Sequence, residues 1–386
     1  MRKHLILVGG GHAHMVTLAH IRDFVDRGYK VTVIAPSLYH YYSGMGPGML
    51  GTTYVPDQIR FATQKVVTSQ GGIFVKDRVV RIDPDQKQVE TLSGNRFSYD
   101  VISFNAGSHV PMGSVETFLE EEMPDNLYPV KPIEKLMEAS ERLVRLFREK
   151  EAVVTVVGGG PSAAEVAGNI WQLAKKTKAH PPLIRIIPGR GLMSRFAPGV
   201  RRRVNAVLAG RGVEILDGVY AKEVGQENIV TTDGNTLRTD FTFMALGVTP
   251  SPVIQASGLP VGPDQGLLVN EFLQSPEYPD VFGGGDCIYF QPRPLDKVGV
   301  YAVRQNPVLC NNLMAALDRC DGKGRDNAMQ PFDPGPDYLL IFNLGGSRGV
   351  LKKHGLIFGG RIAFFIKDYI DRRFISRFQA IEKGLG

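Results

Sequence analysis

Cysteine is scarce in this chain, which has three cysteines in 386 residues and no C-x-x-C pair. A disulfide framework is therefore not expected, and a reducing, cytoplasmic compartment fits the composition best. Long apolar runs are also missing: residues 5–8 are too few for a signal peptide, and no stretch reaches the ~18 apolar residues of a spanning helix. We therefore expect a protein that is soluble or peripheral to a membrane.

Two further signatures are absent. No zinc-binding spacing and no RNA-binding aromatic motif occurs, and the formal net charge of +6 is a mild excess. Such an excess serves anionic cofactors, an anionic membrane surface or nucleic acid, but without a motif we do not expect nucleic acid as a partner. A metal site at His12, His14 and His40 has no supporting carboxylate or cysteine spacing, and none is predicted.

The first informative stretch is residues 3–14, KHLILVGGGHAH. A short apolar run stops at three glycines and leads into a segment with helical potential. This order of strand, turn and helix presents backbone N–H groups to a pyrophosphate. The spacing Gly9-x-Gly11-x-x-His14 lacks the third glycine of the usual fingerprint. The next strand, predicted at 31–34, ends in Ala35-Pro36-Ser37 instead of the acid that normally binds a ribose.

The following segments predict a sheet with an inserted meander. Residues 39–50 are rich in aromatics and glycine, which suits a loop over a flat ring system. Residues 73–82, 88–92 and 96–104 are interpreted as three short strands joined by turns. A charged helix is predicted from 132 to 149.

The pattern then repeats. A strand at 152–157 runs into Gly158-Gly159-Gly160, and a helix continues to about 176. Strands at 183–187 and 213–216 flank a basic helix at 198–210, and a second meander follows. Three matched positions keep one offset of 140 residues, namely Gly94 with Gly234, Asp100 with Asp240, and Gly107 with Gly247. A constant offset indicates repeated units, so the fold class is α/β with two Rossmann-like domains, each with a three-stranded β meander.

The second fingerprint, Gly158-x-Gly160-x-x-Ala163, has the small third residue that close helix–strand packing permits. Its following strand again ends without an acid. Arg190 and Arg195 either favour a 2′-phosphate or lie in a solvated loop, so NADH and NADPH both stay open as the donor.

The most specific block is residues 279–287, PDVFGGGDC, in which a strand and glycines place one carboxylate at a helix start. With GGG, NAG, GGGPSAAE and ALG in order before it, residues 3–320 resemble the flavoproteins of the pyridine nucleotide–disulfide oxidoreductase superfamily. The resemblance implies FAD in the first domain, NAD(P)H in the second, and Asp286 on the ribityl and phosphate region of FAD. A helix N-cap is the alternative role for Asp286.

The resemblance also implies the site. Glu165 would orient the nicotinamide amide, and Lys297 would stabilise anionic reduced flavin. Because the ribose acid is missing, we expect Ser37 and the backbone of Val79 to hold the adenosine half of FAD. The predicted cofactor-binding residues are Gly9, Gly11, His12, Ala13, Ser37, Ser43, Val79, Ala106, Gly107, Gly158, Gly160, Ser162, Ala163, Gly247, Gly285, Asp286 and Val298. The predicted domains are 1–115 with 265–330 for FAD, 116–264 for NAD(P)H, and 331–386 for membrane or dimer contacts.

The electron acceptor is harder to infer. No cysteine pair is available for the disulfide relay of the superfamily, so the chain resembles the type II NADH dehydrogenases, which pass electrons through FAD to quinone. Their paired glutamines fall here on Val300 and Arg304, with Gln305 adjacent. Segments 42–48, 297–305 and 367–374 resemble a sister group that is sometimes fused to selenide, water dikinase. A cysteine-independent sulfur or selenium reductase and a non-turnover NAD(P)H sensor remain the alternatives.

The tail, residues 359–386, predicts an amphipathic helix with a basic flank. Its apolar face consists of Ile362, Phe365, Ile366, Tyr369, Ile370, Phe374 and Phe378. Such a helix lies in a membrane interface, at the inner face of the cell membrane here, or packs on its own core or on a second subunit of a homodimer. The three remain open.

Overall fold

Short strands alternate with helices from the start of the chain, as the apolar runs separated by glycines predict. The computed structural model describes residues 2–111, 124–322 and 328–384. The first of these stretches contains β1 (His4–Val8), α1 (Met15–Ala19), α2 (Ile21–Asp26), β2 (Lys30–Ala35), β3 (Tyr39–Tyr41), α3 (Gly46–Leu50), α4 (Pro56–Ile59), β4 (Arg60–Ala62), α5 (Thr63–Thr68), β5 (Ile73–Lys76), β6 (Val79–Asp83), β7 (Gln88–Thr91), β8 (Arg96–Ser98), β9 (Val101–Phe104) and β10 (Ser108–His109).

The second stretch contains the repeat and the return to the first sheet. Its elements are β11 (Leu127–Pro129), α6 (Glu134–Glu149), β12 (Val153–Val157), α7 (Pro161–Thr177), β13 (Leu183–Ile187), α8 (Pro198–Ala209), β14 (Glu214–Ile215), β15 (Ala221–Val224), β16 (Asn228–Thr231), β17 (Thr236–Arg238), β18 (Phe241–Met244), β19 (Thr249–Pro250), α9 (Val253–Ala256), β20 (Leu267–Val269), β21 (Val281–Gly283), β22 (Ile288–Phe290) and α10 (Gly299–Asp321). The last stretch contains β23 (Leu340–Asn343), β24 (Gly349–Lys353), β25 (Leu356–Gly360) and α11 (Arg361–Glu382).

Two parallel sheets carry the two glycine turns. The first has the strand order β21-β9-β1-β2-β5, and the second has the order β11-β18-β12-β13-β14. In both, the strand that leads into the glycines is central, and every residue of β1 is buried. Parallel strands covered on both faces need such continuous apolar runs. The predicted α/β class with two Rossmann-like units is confirmed.

The offset of 140 residues corresponds to a repeated contact. Asp100 accepts hydrogen bonds from the His4 backbone N–H at 2.8 Å and from Lys3 Nζ at 3.0 Å, at the start of β1. Asp240 accepts from the Val153 backbone N–H at 2.8 Å and from Lys150 Nζ at 2.6 Å, at the start of β12. Each aspartate therefore fixes the entry of the central strand of its own sheet.

Two predicted strands of the first meander are wrong in extent. Residues 73–82 divide into β5, which joins the parallel sheet, and β6, which belongs to the antiparallel sheet β6-β7-β8. Residues 96–104 divide in the same way into β8 and β9. Each run leaves one sheet and enters another at a turn, which apolar composition alone does not mark.

The prediction of a loop over residues 39–50 is also wrong. Tyr39–Tyr41 forms β3 and pairs with β4, and Gly46–Leu50 forms α3. All five residues of α3 are buried, because α3 lies against α6 and α7. The two glycines and one proline of Gly46-Pro47-Gly48 therefore mark close packing here rather than an open loop.

The C-terminal part adds a feature that the sequence analysis does not anticipate, the antiparallel sheet β23-β24-β25. The predicted tail helix exists as α11. Its predicted apolar face is split, since Phe378 is buried while Ile362, Phe365 and Tyr369 are 53–69% exposed. Within the described residues, no helix is long and apolar enough to cross a membrane. The predicted domain boundary at 115/116 lies outside the described residues.

Candidate functional site

The first glycine turn follows β1 and contacts Asn105, the residue directly after β9, which in turn bonds to Gly284, the residue directly after β21. Gly9 has φ +87°, and a Cβ there would lie 2.3 Å from the Asn105 carbonyl oxygen. A Cβ on Gly11 would lie 2.1 Å from Asn105 Oδ1. That oxygen accepts from the Ala13 N–H at 3.1 Å, and Asn105 Nδ2 donates to the Gly284 carbonyl at 2.6 Å. Glycine is therefore required at both positions, and Asn105 connects this turn to the 279–287 block.

The second glycine turn repeats this geometry. Gly158 has φ +139°, and a Cβ there would lie 2.1 Å from the carbonyl oxygen of Ala245, the residue 140 positions after Asn105. The Gly158 backbone N–H donates to the Ile187 carbonyl at 2.9 Å, and the Gly9 N–H donates to the Ile34 carbonyl at the same distance. Gly160 has open space at its Cβ position, directly before α7.

His14 occupies the place of the usual packing glycine and is fully buried. Its Nδ1 donates to the Gly9 carbonyl at 2.7 Å, so Nε2 accepts from Ser103 Oγ at 2.8 Å. Burial lowers the pKa of His14 to about 4. The imidazole is therefore neutral at neutral pH and supports the turn by two hydrogen bonds instead of close packing.

Asp286 faces a lysine and a serine that the sequence analysis missed. Lys131 Nζ lies 2.7 Å from Asp286 Oδ2, and Ser108 Oγ donates to the same oxygen at 2.8 Å. Burial alone would raise the pKa of Asp286, but the Lys131 ion pair and the Ser108 hydrogen bond outweigh it and lower that pKa from 3.8. The Asp286 side chain makes no N-cap hydrogen bond. The one signal for Lys131 is that it closely follows a strand of the second sheet.

Lys297 lines the same cavity but is held by other groups. Its Nζ lies 2.7 Å from Asp264 Oδ2 and also donates to the Ile288 carbonyl. Gln305, the glutamine left near the expected pair, is 1% exposed, and its Oε1 accepts from the Gly285 N–H at 2.7 Å. Arg304 donates to the carbonyls of Pro334 and Asp337. Gln305 therefore supports the glycine block and is not free to contact an acceptor.

Glu165 lines the cavity and contacts the C-terminal part of the chain. Its Oε1 accepts from the Asn343 N–H at 2.7 Å. Burial raises the pKa of Glu165 to about 7, although the nearby Lys367 ammonium and the Asn343 hydrogen bond act in the opposite direction. The carboxyl is therefore able to exchange a proton close to neutral pH.

One cavity of about 2590 Å³ connects these groups, which is several times the volume of an ordinary small-molecule pocket. Most predicted site residues line it, whereas the buried Ala13 and Ala163 do not. Those that line it are Gly9, Gly11, His12, Ser37, Ser43, Val79, Ala106, Gly107, Gly158, Gly160, Ser162, Glu165, Gly247, Gly285, Asp286, Lys297 and Val298.

His12 and His40 lie at this cavity with their ring centroids 4.7 Å apart. Nε2 of each ring is buried and has no hydrogen-bond partner among the described residues. Burial lowers the pKa of His12 to about 4 and that of His40 well below 6.5. In the described ranges, no group of three histidine, cysteine or acidic side chains is placed to hold a metal ion.

The three cysteines are free thiols. Cys287 is fully buried and donates to the Phe104 and Gly284 carbonyls at 3.4 and 3.3 Å. Burial raises the pKa of Cys287 and of Cys310 to about 11. Both are therefore protonated and poorly nucleophilic at neutral pH.

Comparison with known proteins places these features in a family. The family model described as pyridine nucleotide-disulphide oxidoreductase matches residues 3–307. A type II NADH:quinone oxidoreductase of Staphylococcus saprophyticus is 24% identical over 98% of this chain and 97% of its own. A sulfide-quinone reductase of Aquifex aeolicus is 24% identical over 74% of this chain and 68% of its own. The solved structure of NDH2 from Plasmodium falciparum with NADH has a TM-score of 0.79 at 15% identity and covers 95% and 97% of the two chains.

Proposed function

The chain belongs to the pyridine nucleotide-disulphide oxidoreductase family, and from this we propose that it is an FAD-dependent dehydrogenase that oxidises NADH or NADPH and reduces a quinone-type acceptor. The observation that carries the proposal is the pair of matched glycine turns, 140 residues apart, which open onto one cavity. Relatives named as NADH:quinone oxidoreductases match the chain over nearly its full length.

The residues present fit two dinucleotides. Gly107, Gly160 and Gly247 line the cavity and have open space where a Cβ would stand, so the backbone is accessible to a pyrophosphate or a ring. The unpartnered Nε2 of His12 is a buried polar atom at the first turn, and such an atom is expected to find a partner when a ligand binds.

We assign FAD to the first turn and the nicotinamide nucleotide to the second. FAD would be held by Gly9–Gly11, Ser37, Val79 and Asp286, which Lys131 and Ser108 position. NAD(P)H would be held by the 158–163 turn. When bound, FAD supplies an acceptor for the hydride of the nicotinamide and a donor of two electrons to the second substrate. Lys131 and Ser108 keep Asp286 ionised, so Asp286 would accept hydrogen bonds from the ribityl hydroxyls of bound FAD.

The choice of a quinone-type acceptor is based on the protonation of the buried thiol and on the apolar side chains of β23 and α11. A thiol relay is not supported, because Cys287 is buried and protonated. Apolar side chains of β23 and α11 line the same cavity as Glu165, including Ile341, Phe342, Ile370 and Phe374. An apolar wall with a few polar groups suits a flat, neutral acceptor such as a quinone.

The exposed part of α11 supports contact with a membrane, where such acceptors reside. Ile362, Phe365, Tyr369 and Ile370 are 41–69% exposed on one side of the helix, and basic residues flank them. An aromatic and basic helix face of this kind binds an anionic membrane interface. Sedimentation with vesicles of anionic and of neutral lipid tests this, and equal recovery in the supernatant for both would contradict it.

The central experiment is anaerobic titration of the purified protein. We expect a yellow protein whose flavin absorbance is bleached by NADH or NADPH and restored by the soluble quinone menadione. A colourless protein that FAD does not reconstitute would refute the cofactor assignment. Bleaching by the nucleotide without reoxidation by menadione would instead favour a sensor that does not turn over.

A further inference from the structure

Tyr42 lies in the cavity wall with its hydroxyl on a buried acid–base pair. The hydroxyl donates to Asp371 Oδ1 at 3.3 Å, and Asp371 Oδ2 accepts from Lys367 Nζ at 2.8 Å. All three residues line the cavity. Building on the proposed function, we propose that Tyr42 is the catalytic proton donor to the acceptor and that Asp371 and Lys367 return the proton to it.

The ring of Tyr42 has a fixed orientation. It contacts the rings of His12 and Phe374 with centroid distances of 5.2 and 5.0 Å. A Cβ on Gly44 would lie 3.0 Å from Tyr42 Cε1 and 3.3 Å from the hydroxyl oxygen. Any larger residue at 44 would therefore displace the ring, so the glycine of the 42–48 segment keeps the hydroxyl on Asp371.

The charges around Tyr42 favour this role. The side chains of Lys367 and Asp371 are only 12% and 6% exposed. Burial would lower the pKa of Lys367, but Asp371 and Glu165 outweigh it and raise that pKa, so the ammonium stays protonated. Burial, with Asp371 nearby, raises the pKa of Tyr42 well above 10. The Tyr42 phenol is therefore neutral and holds a proton at every physiological pH. The Lys367 ammonium is the nearby proton source, connected to Tyr42 through Asp371.

The proton balance of the reaction requires such a donor. NADH delivers two electrons and one hydrogen as a hydride, whereas reduction of a quinone to its hydroquinone takes two electrons and two protons. We assign the second proton to Tyr42: its O–H bond breaks while an O–H bond forms on the acceptor oxygen. The phenolate then regains a proton through Asp371 from the Lys367 ammonium, which solvent in the cavity protonates again.

Tyr54 offers a matched control, because its hydroxyl also bonds to an aspartate of α11. Its hydroxyl donates to Asp368 Oδ1 at 2.8 Å, so Tyr54→Phe also removes one tyrosine–aspartate hydrogen bond to α11. Unlike Tyr42, Tyr54 does not line the cavity. A purely structural role of Tyr42 predicts similar consequences for the two substitutions, whereas a proton-donating role predicts different ones.

The test compares the wild-type holoenzyme with Tyr42→Phe and Tyr54→Phe in stopped-flow experiments. Each protein is reduced with NADH and then mixed either with menadione, which needs protons, or with ferricyanide, which accepts electrons without them. For Tyr42→Phe we expect unchanged reduction by NADH, unchanged reoxidation by ferricyanide, and reoxidation by menadione slower by about 100-fold, the lower range for loss of a general acid. Calorimetric titration with menadione should give an unchanged Kd.

Two results would overturn the proposal: reoxidation of Tyr42→Phe by menadione at the wild-type rate, or equal slowing with menadione and ferricyanide. If Tyr42→Phe does not fold, Asp371→Asn, which keeps an oxygen for the Tyr42 hydroxyl, should show the same selective slowing with menadione. A wild-type protein that neither NADH nor NADPH reduces, or that menadione does not reoxidise, would refute the proposed function itself, and the Tyr42 assignment with it.

Discussion

Replacing Glu165 with glutamine should change how the stability of the protein depends on pH. The carboxyl has a pKa of about 7 in the folded protein against a usual value of 4.5, chiefly because it is buried. Glutamine keeps the shape and an oxygen that accepts from the Asn343 N–H, but it does not titrate. The comparison of the two proteins therefore isolates the protonation of one group.

The sign follows from proton binding. Between pH 4.5 and about 7 the folded protein holds a proton that the unfolded chain has released, so the free energy of unfolding falls as the pH rises through this window. At 1.36 kcal/mol per pKa unit the full loss is about 3 kcal/mol, an upper limit because solvent in the cavity partly reaches Glu165. Below pH 4.5 the carboxyl is protonated in both states and adds no pH dependence.

The assay is urea unfolding of wild type and Glu165→Gln at half-unit steps from pH 4.5 to 8.5. The wild type alone is not informative, because His12 and His14, with pKa values lowered to about 4, change stability in the opposite direction over the same range. We expect Glu165→Gln to gain up to about 3 kcal/mol relative to wild type between the ends of the series. Parallel curves for the two proteins would refute the raised pKa.

Three further predictions concern the first glycine turn and the Lys131–Asp286 ion pair. Gly9→Ala should abolish FAD retention, because its Cβ would lie 2.3 Å from the Asn105 carbonyl oxygen, whereas Gly28→Ala, at φ +91° with open space, should cost only about 1 kcal/mol of unfolding free energy. Asn105→Ala should lower that free energy by about 1–3 kcal/mol, because the buried Ala13 N–H loses its acceptor and the Gly284 carbonyl keeps only the weak Cys287 thiol donor, and urea unfolding measures it. Lys131→Met should raise the pKa of Asp286, so FAD affinity measured by fluorescence quenching should weaken as the pH falls, unlike that of Lys131→Arg.

Much of the fold was predictable because its signals are local. Each Rossmann-like unit begins with an apolar run directly followed by glycines, and the equal spacing of Asp100 and Asp240 reflects one contact made twice. The strand limits were less predictable. The runs 73–82 and 96–104 each pass from one sheet to another, and an apolar pattern does not record which partner strand follows.

The partners of the site residues were not predictable because they come from distant parts of the chain. Asp286 was identified, yet Lys131 and Ser108 stand 155 and 178 residues away in sequence. Glu165 was identified, yet the Asn343 N–H that holds it is 178 residues away. The tail helix was predicted, but the buried side of α11 carries Lys367 and Asp371, whose mutual ion pair makes their burial tolerable.

The position of α11 has a consequence for the order of assembly. This helix is synthesised after both glycine turns, and it closes one end of the cavity through bonds from Tyr42 and Tyr54 and from the Ala62 N–H to Glu382. Units of a chain fold as they leave the ribosome, so a nascent chain already has both turns while this end of the cavity is still open. FAD can therefore bind before α11 packs against the cavity, and α11 would then cover a cofactor that is already in place.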